Sequence, residues 1–584
     1  MKDLALMLTL SIVFFSLAVF NVGFLRTPVR GWQPTGETDV YLDLGSVRRV
    51  DSIYVLLGDA QSVMFDVYVG QPGRWEYSTS FRDEWYYGWR SVALAEAETR
   101  YIRLFFYGKT GKINEIFLVN EDGEKIRIDR IWGGEGVEPA VKRLVDEQEL
   151  VEWPPTYRSQ TYFDEIYYVR TAEEYLKGAE LYEWTHPPLG KLLIAFSISL
   201  LGFSPFAWRI IGVLFATLMV PLIYLLGREM FRRRIAAFIA AFLLTFDFLH
   251  FTMGRIATVD TFAVFFTVAS TLLFYLNYRE ISAGDFKFKG YLVFLAFLLF
   301  ALAFSTKWYV LYGLIGQLFL LLLFALKGFI ASQSNLTTKF KEYLSQPLKP
   351  LLGLPSLLKA LRPHLHGLAL DIEKYLMKPF AVILLSALVS GLVYVSTFIP
   401  YMMAGHSLTD VYTRQWTMYN YHAQLEATHP FSSAWWSWPL IIRPLWLYVS
   451  YLPDGMVSTI TAMGNPAIWW FGLVSIITIF WRLIKGRDKN CLFIFCIFLF
   501  QWLPYAFISR CLFIYHFYVN VPMLILATTY LLNESWESKG GRVFVAAYLS
   551  LTAILFILFY PVISGYPVPY SYKEFLRWFN SWVF

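Results

Sequence analysis

The chain has 584 residues, 57% of them hydrophobic, 19% aromatic and 16% charged, with a net charge of +6 and a mean hydropathy of +0.46. Its apolar runs reach the ~20 residues that a helix needs to cross hydrocarbon, which excludes a soluble multidomain protein and makes it an integral, multi-pass membrane protein surrounded by lipid. The three cysteines lie in or beside late apolar segments and define no disulfide framework, and nucleic acid is not an expected partner.

The hydropathy pattern predicts a mainly α membrane protein with about eleven transmembrane helices. They fall at roughly 5–25, 209–228, 235–253, 259–278, 290–305, 308–326, 380–402, 467–483, 491–508, 512–532 and 543–563. The first has a long apolar core and no small-x-small cleavage signal, so a retained helix is expected rather than a signal peptide. Residues 189–203 are apolar but short and read as a helix lying at the interface. Lys and Arg collect in "REMFRRR", "YREISAGDFKFKG", the stretch 327–378, "WRLIKGRDKN" and "SKGGR". By the positive-inside rule these loops and the N-terminus are cytoplasmic. Residues 26–208, the turn around 254–260, the loop 403–466, the turn around 509–511 and the C-terminal tail then face the other side. The sequons at Asn335 and Asn533 fall on the cytoplasmic side, where no glycan is expected.

The resulting division is a first helix over 1–29, an extracytoplasmic β-sandwich over 30–140 and a first outer loop over 141–208. Helices two to seven follow over 209–402 with the cytoplasmic loop 327–378, then a large outer loop over 403–466 and the last four helices with an outer tail over 467–584. The sandwich is read from "DVYLDLG", "SIYVLLG", "MFDVYVG", "TRYIRLFFYG" and "INEIFLVN", short runs with partial two-residue alternation, several bounded by Gly or Asp. Through "GWQPTG…YLDLG" and "RYIRL…INEI" it resembles the discoidin (coagulation factor 5/8 type C) family, a jelly roll. That resemblance implies a carbohydrate or lipid-headgroup ligand; the alternative is a spacer supporting the neighbouring site.

Polar clusters recur on the outer side. "YFDEIYYVR" at 162–170 sets Asp164 and Glu165 among aromatics, and "EWTHPPLGKLL" at 183–193 brings His186 and Lys191. "GRIATVD" at 254–260 holds Arg255 and Asp260, and "STKW" at 305–308 holds Lys307. His429, Trp435, Trp438 and Arg443 belong to "THPFSSAWWSWPLIIRP" at 428–444; "GNPAIWW" spans 464–470, and Arg510 and His516 lie in "SRCLFIYHFYVNVP" at 509–522. A transporter needs polar groups near the midplane; this one-sided pattern points to an active site at the membrane surface.

The order of these motifs over about 155–530 resembles the protein O-mannosyltransferase family, multi-pass enzymes of the GT-C fold. The resemblance implies transfer of mannose from a polyprenyl-phosphate (dolichyl-phosphate in eukaryotes) donor to Ser or Thr of a protein, with inversion. The family's "DVHPP" reads "WTHPP" here, with Trp184 in the place of the acid. The large loop is too short for the MIR domains of eukaryotic members, which points to a prokaryotic cell membrane.

A hydroxyl needs a carboxylate to take its proton as it attacks; the resemblance gives that role to Asp164, with Glu165 positioning the acceptor or orienting the loop and Asp260 a further catalytic candidate. Arg209, Arg255, Lys307, Arg510 and His516 are expected to bind the donor phosphate or hold the acidic loop. His186, Lys191, His429, Trp435, Trp438 and Arg443 are expected to position substrate or loop, the histidines before prolines being as readily structural. No cofactor is firmly implied; a divalent metal on Asp164 and Asp260 is an open alternative. Transfer to a lipid or glycan, or a membrane-anchored carbohydrate receptor, are the competing readings.

Overall fold

The computed structural model describes residues 1–134, 140–284, 286–344, 362, 365–486 and 488–584, with the side chains of 96 and 334–344 also left aside. Of the loop expected over 327–378, residues 345–361 and 363–364 therefore lie outside the described residues, as does the Asn335 side chain.

After α1 (Lys2–Val19) come seven strands: β1 (Glu37–Leu57), β2 (Val63–Gln71), β3 (Arg74–Asp83), β4 (Gly88–Tyr107), β5 (Ile113–Val119), β6 (Lys125–Ile126) and β7 (Arg130–Gly133). They do not pair as two separate sheets. All belong to one antiparallel seven-stranded sheet of order β3-β2-β4-β1-β5-β6, with β7 also on β1. Two strands run unusually long, and the β1–β4 register shifts between Asp43 and Arg48 and between Val50 and Ser52. Before these bulges β1 pairs with β7 on its other side; after them it pairs with β5. Bulges re-aim a strand, and one apolar core, including Val40, Val55, Phe65, Leu104 and Ile116, collects side chains from both halves.

The sheet is fused to the helices. A second core joins its Tyr87, Trp89 and Phe117 to Tyr168, Ile194, Trp208 and Phe262 of the helical part. Tyr87 is fully buried with its hydroxyl on the Pro28 carbonyl at 2.9 Å. Burying rings of this size contributes on the order of 1.5–3 kcal/mol each.

Then follow α2 (Glu165–Lys177), α3 (Leu189–Leu201), α4 (Pro205–Phe231), α5 (Arg234–Thr245), α6 (Phe248–Arg255), α7 (Asp260–Ser282), α8 (Gly290–Phe304), α9 (Leu311–Leu344), α10 (Lys378–Ser396) and α11 (Leu408–Gln424). The hairpin β8 (Leu445–Tyr451) and β9 (Met456–Ala462) precedes α12 (Pro466–Lys485), α13 (Lys489–Trp502), α14 (Val521–Ser535) and α15 (Lys539–Ser564); β10 (Val568–Pro569) adds to β9.

Nine of the described helices are long and apolar enough to span a membrane, or ten if α5 and α6 count as one span, against the eleven expected. The shortfall has two causes. α8 has only 15 residues. α5 and α6 are bent by 55° at Phe246 and Asp247, a break that hydropathy averages away. Asp247 caps α6 by accepting from the His250 amide at 2.9 Å and holds Trp469 Nε1 at 2.7 Å, while Asn465 donates to the open Phe246 carbonyl at 3.0 Å. The "GNPAIWW" motif thus braces a broken helix, and Trp469 is fully buried.

The two ends of the bundle differ. One carries ion pairs of Asp3 with Arg234, Glu229 with Arg279 and Arg482 with Glu534. The other carries the sheet, the β8–β9 hairpin and every polar motif singled out above except "GNPAIWW".

Candidate active site

Asp164 sits at the N-cap of α2, just after Phe163, which has φ +50°. A bulky residue in the left-handed region costs ~1–2 kcal/mol, and the turn it makes separates two neighbouring carboxylates. Glu165 is fully buried and clamped by Arg209, whose Nε and Nη2 donate at 2.7 and 2.6 Å to its two oxygens. The Ala257 amide adds a third bond at 3.0 Å. Arg209 spends its remaining donors on the carbonyls of Val22, Tyr157 and Gln160 at 2.8–2.9 Å. This pair therefore holds the acidic loop; Arg209 has no donor left for a phosphate and Glu165 cannot reach an acceptor. Arg255 is likewise committed, to the carbonyls of Ala18 and Phe20 at 2.7 and 2.8 Å and to Ser564 at 3.2 Å. It ties the end of α1 to the end of α15.

The Asp164 carboxylate is different: no hydrogen bond or ion pair to it occurs among the described residues. Burial pushes its pKa up to about 7, with Asp260 and Glu183 adding to the rise and Lys307 opposing it. Lys307 itself bridges both oxygens of Asp260 at 2.9 and 3.0 Å, and both residues are buried. A divalent ion on Asp260 would have to displace that ammonium, so these residues do not fit a metal. Among the described residues the one group of three or more potential ligands is Glu115, Asp146 and Glu147, in and beside the sheet.

Three motifs meet through α3. A side chain at Gly190 would come within 2.6 Å of Val259 and 3.1 Å of Thr306, so only glycine lets "HPPLGK" lie against the residues preceding Asp260 and Lys307. Lys191 is buried and donates to the Glu183 carboxylate at 2.5 Å and to the His186 carbonyl at 2.7 Å. Glu183 also holds His186 Nδ1 at 3.0 Å. Despite its burial, the Glu183 carboxyl is held well below the usual range by Lys191 and His186. The acid that Trp184 displaced is thus present one residue earlier, a shift the sequence carried in plain view.

His186 and Lys307 open into a cavity of about 520 Å³ shared with Arg510, His516 and His422 and walled by aromatics including Tyr309, Tyr312 and Tyr505. No carboxylate lines it, which suits an anion beside an apolar chain. His422, absent from the sequence reading, sits near the end of α11 and donates Nε2 to the Thr185 carbonyl at 2.8 Å, leaving Nδ1 to accept from Arg510 at 2.8 Å. Burial, with His186 and Arg510 adding, lowers its pKa to about 4, so it is neutral and positions Arg510. No family motif in the sequence includes it; only the fold of the 403–466 loop brings it here.

The remaining candidates lie outside that cavity or behind it. Trp438 is buried, bonded to Ser433 at 3.0 Å and stacked on His516 at 6.0 Å, so its ring packs behind the histidine. His429 and Trp435 line a neighbouring cavity of about 680 Å³ that shares Arg510. Arg443 is exposed and lines none of these spaces.

A family model described as dolichyl-phosphate-mannose-protein mannosyltransferase matches residues 204–368, and one for the C-terminal four-helix membrane region of protein O-mannosyltransferase matches 407–582. Both ranges leave the seven-stranded sheet unmatched. The polyprenol-phosphate-mannose–protein mannosyltransferase of Mycobacterium tuberculosis H37Rv is 26% identical over 454 residues, covering 68% of this chain and 80% of that protein. The Corynebacterium glutamicum protein of that description is 24% identical over 438 residues, 68% of this chain and 81% of its own length. The solved Saccharomyces cerevisiae Pmt1–Pmt2 complex bound to the sugar donor shares the fold, with a TM-score of 0.50 at 13% identity over 73% of this chain and 89% of that one.

Proposed function

This chain belongs to the protein O-mannosyltransferase family of membrane glycosyltransferases with the GT-C fold, and from that premise we propose that it moves mannose from a polyprenyl-phosphate donor to Ser or Thr hydroxyls of a polypeptide. The observation that carries the mechanism is the lone Asp164 carboxylate, held basic by burial beside a cationic, aromatic cavity.

The acceptor oxygen attacks the anomeric carbon as Asp164 takes its proton, and the bond from that carbon to the phosphate oxygen breaks. Inversion follows from the single displacement. A phosphate leaving group needs no general acid, in contrast to the alkoxide of a glycosidase; Arg510, held by His422, supplies donors to the charge it gains, while His186, oriented by Glu183, lines the same cavity. Lys307 adds positive charge while fixing Asp260. The released phosphomonoester has a second pKa near ~6, close to that of Asp164, so the proton can return to it or to water without a large barrier.

By the positive-inside rule the end carrying Arg234, Arg279 and Arg482 faces the cytoplasm and the site faces outward. The test is incubation of purified protein with labelled polyprenyl-phosphate mannose and Ser/Thr peptides. Label is expected on peptide; label appearing only on lipid or glycan overturns the acceptor assignment.

A further inference from the structure

A cleft of about 410 Å³ runs between the seven-stranded sheet and β8, and its floor is the Gln160–Phe163 segment that ends at Asp164. Five successive residues of β8, from Leu447 to Tyr451, line it. Alternate residues of a strand point to opposite faces, so five in a row lining one space means that the strand meets it edge-on. β8 is the end strand of its three-stranded sheet, paired only to β9. Among the described residues no strand pairs with its other row of amides and carbonyls, the kind of edge that proteins otherwise cover or block.

The opposite wall is Trp85 of the β3–β4 connection with Trp89 and Arg90 of β4, the Arg90 guanidinium lying 4.3 Å over the Trp85 ring and paired to Asp83 at 3.2 Å. The charge is thus already neutralised and no carboxylate lines the cleft. Trp85 Nε1 bonds Thr161 at 3.2 Å, and the Phe163 ring meets Tyr515 at 6.5 Å. Tyr515 in turn lies under the Lys307 ammonium at 5.2 Å. The residue adjacent to Asp164 thus lines the cleft on one side and touches the Tyr515–Lys307 cluster on the other.

We infer that this cleft is the acceptor groove: an extended, uncharged Ser/Thr-bearing polypeptide adds to the free edge of β8 as a further strand, its flanking side chains against Trp85 and Tyr451, and so delivers one hydroxyl to Asp164. This rests on the transferase reading above. Strand addition takes its affinity from main-chain hydrogen bonds, so many acceptor sequences are admitted, and the requirement falls on an extended, unfolded acceptor.

The experiment uses the full-length protein and neutral peptides with one Thr, N-methylated at each residue in turn, each assayed for KM and kcat. Strand addition predicts alternation: methylation at every second residue raises KM tenfold or more with kcat little changed, and the intervening positions shift KM less than twofold. Trp85→Ala and the exposed Tyr451→Ala should each raise KM for the unmodified peptide at least fivefold while donor binding stays constant. A uniform response to methylation together with unchanged KM in both variants, in a protein that still glycosylates peptide, overturns the groove alone. Failure to glycosylate any peptide overturns the transferase reading itself.

Discussion

At position 164 the carboxylate stands alone, whereas its neighbour at 165 is bonded on every side. Asp164→Asn keeps the shape and removes the proton acceptor, so turnover should fall roughly 10²–10⁴-fold with donor binding nearly constant. With the pKa near about 7, the wild-type rate should rise with pH through that value, measured as kcat/KM against pH. The same shift makes a stability claim. The folded group holds its proton up to about 7 while the unfolded one releases it near 3.8, so stability falls as pH rises between those values. Asp164→Asn should abolish that fall, which melting temperature against pH will show. Glu165 and Arg209 act through structure instead. Removing one partner of a buried ion pair costs about 3–5 kcal/mol, so Arg209→Met should lower the melting temperature sharply. A melting temperature equal to wild type, with weakened donor binding, would return Arg209 to the phosphate.

At the scale of elements, the sheet is a buttress for the loop that leads into Asp164. The Thr161 amide bonds the Tyr87 carbonyl at 2.9 Å, and the Trp89 amide takes the Gln160 side chain at 2.9 Å, three to four residues before Asp164. Excising 30–133 would strip Trp208, Ile194 and Phe262 of their cover, so loss of the folded protein is the expected outcome of deletion. A milder probe is Tyr87→Ala, expected to cost about 3–5 kcal/mol and to lower kcat by loosening the loop that presents Asp164. Thermal melting and turnover measured together check it. Unaltered turnover in a destabilised Tyr87→Ala protein would mean that the sheet does not tune the site.

For the whole molecule, the segregation of polar motifs from basic loops predicts sidedness. In a protein whose three native cysteines are replaced by serine, cysteines introduced at Ser80, on the sheet, and at Lys485, at the far end of α12, should react oppositely with a membrane-impermeant reagent in intact cells, the first labelled and the second protected. Labelling of both would break the orientation drawn from the charge pattern. The bent α5–α6 pair and the short α8 were invisible to hydropathy because a window of ~19 residues averages over a break of two; Asp247, an acid inside an apolar run, was the available sign.

Composition and order of motifs were enough to determine a multi-pass membrane enzyme with a β-rich insertion and its family resemblance, and to single out Asp164 as the candidate base. Apolar run length and charge bias are properties of contiguous sequence, and a motif's residues travel together along the chain. The division of labour among the charged groups was decided elsewhere. Arg209, Arg255 and Arg510 are equally cationic in the sequence, but only packing shows that the first is fully used on Glu165 and buried carbonyls and the second donates to backbone carbonyls, while the third faces a cavity. His422 belongs to no motif and enters the site because α11 folds back over Thr185. The pairing of the seven strands in one sheet likewise depends on the bulges in β1 and on contacts between residues distant in sequence, because register is a property of pairs of strands that neither strand carries alone.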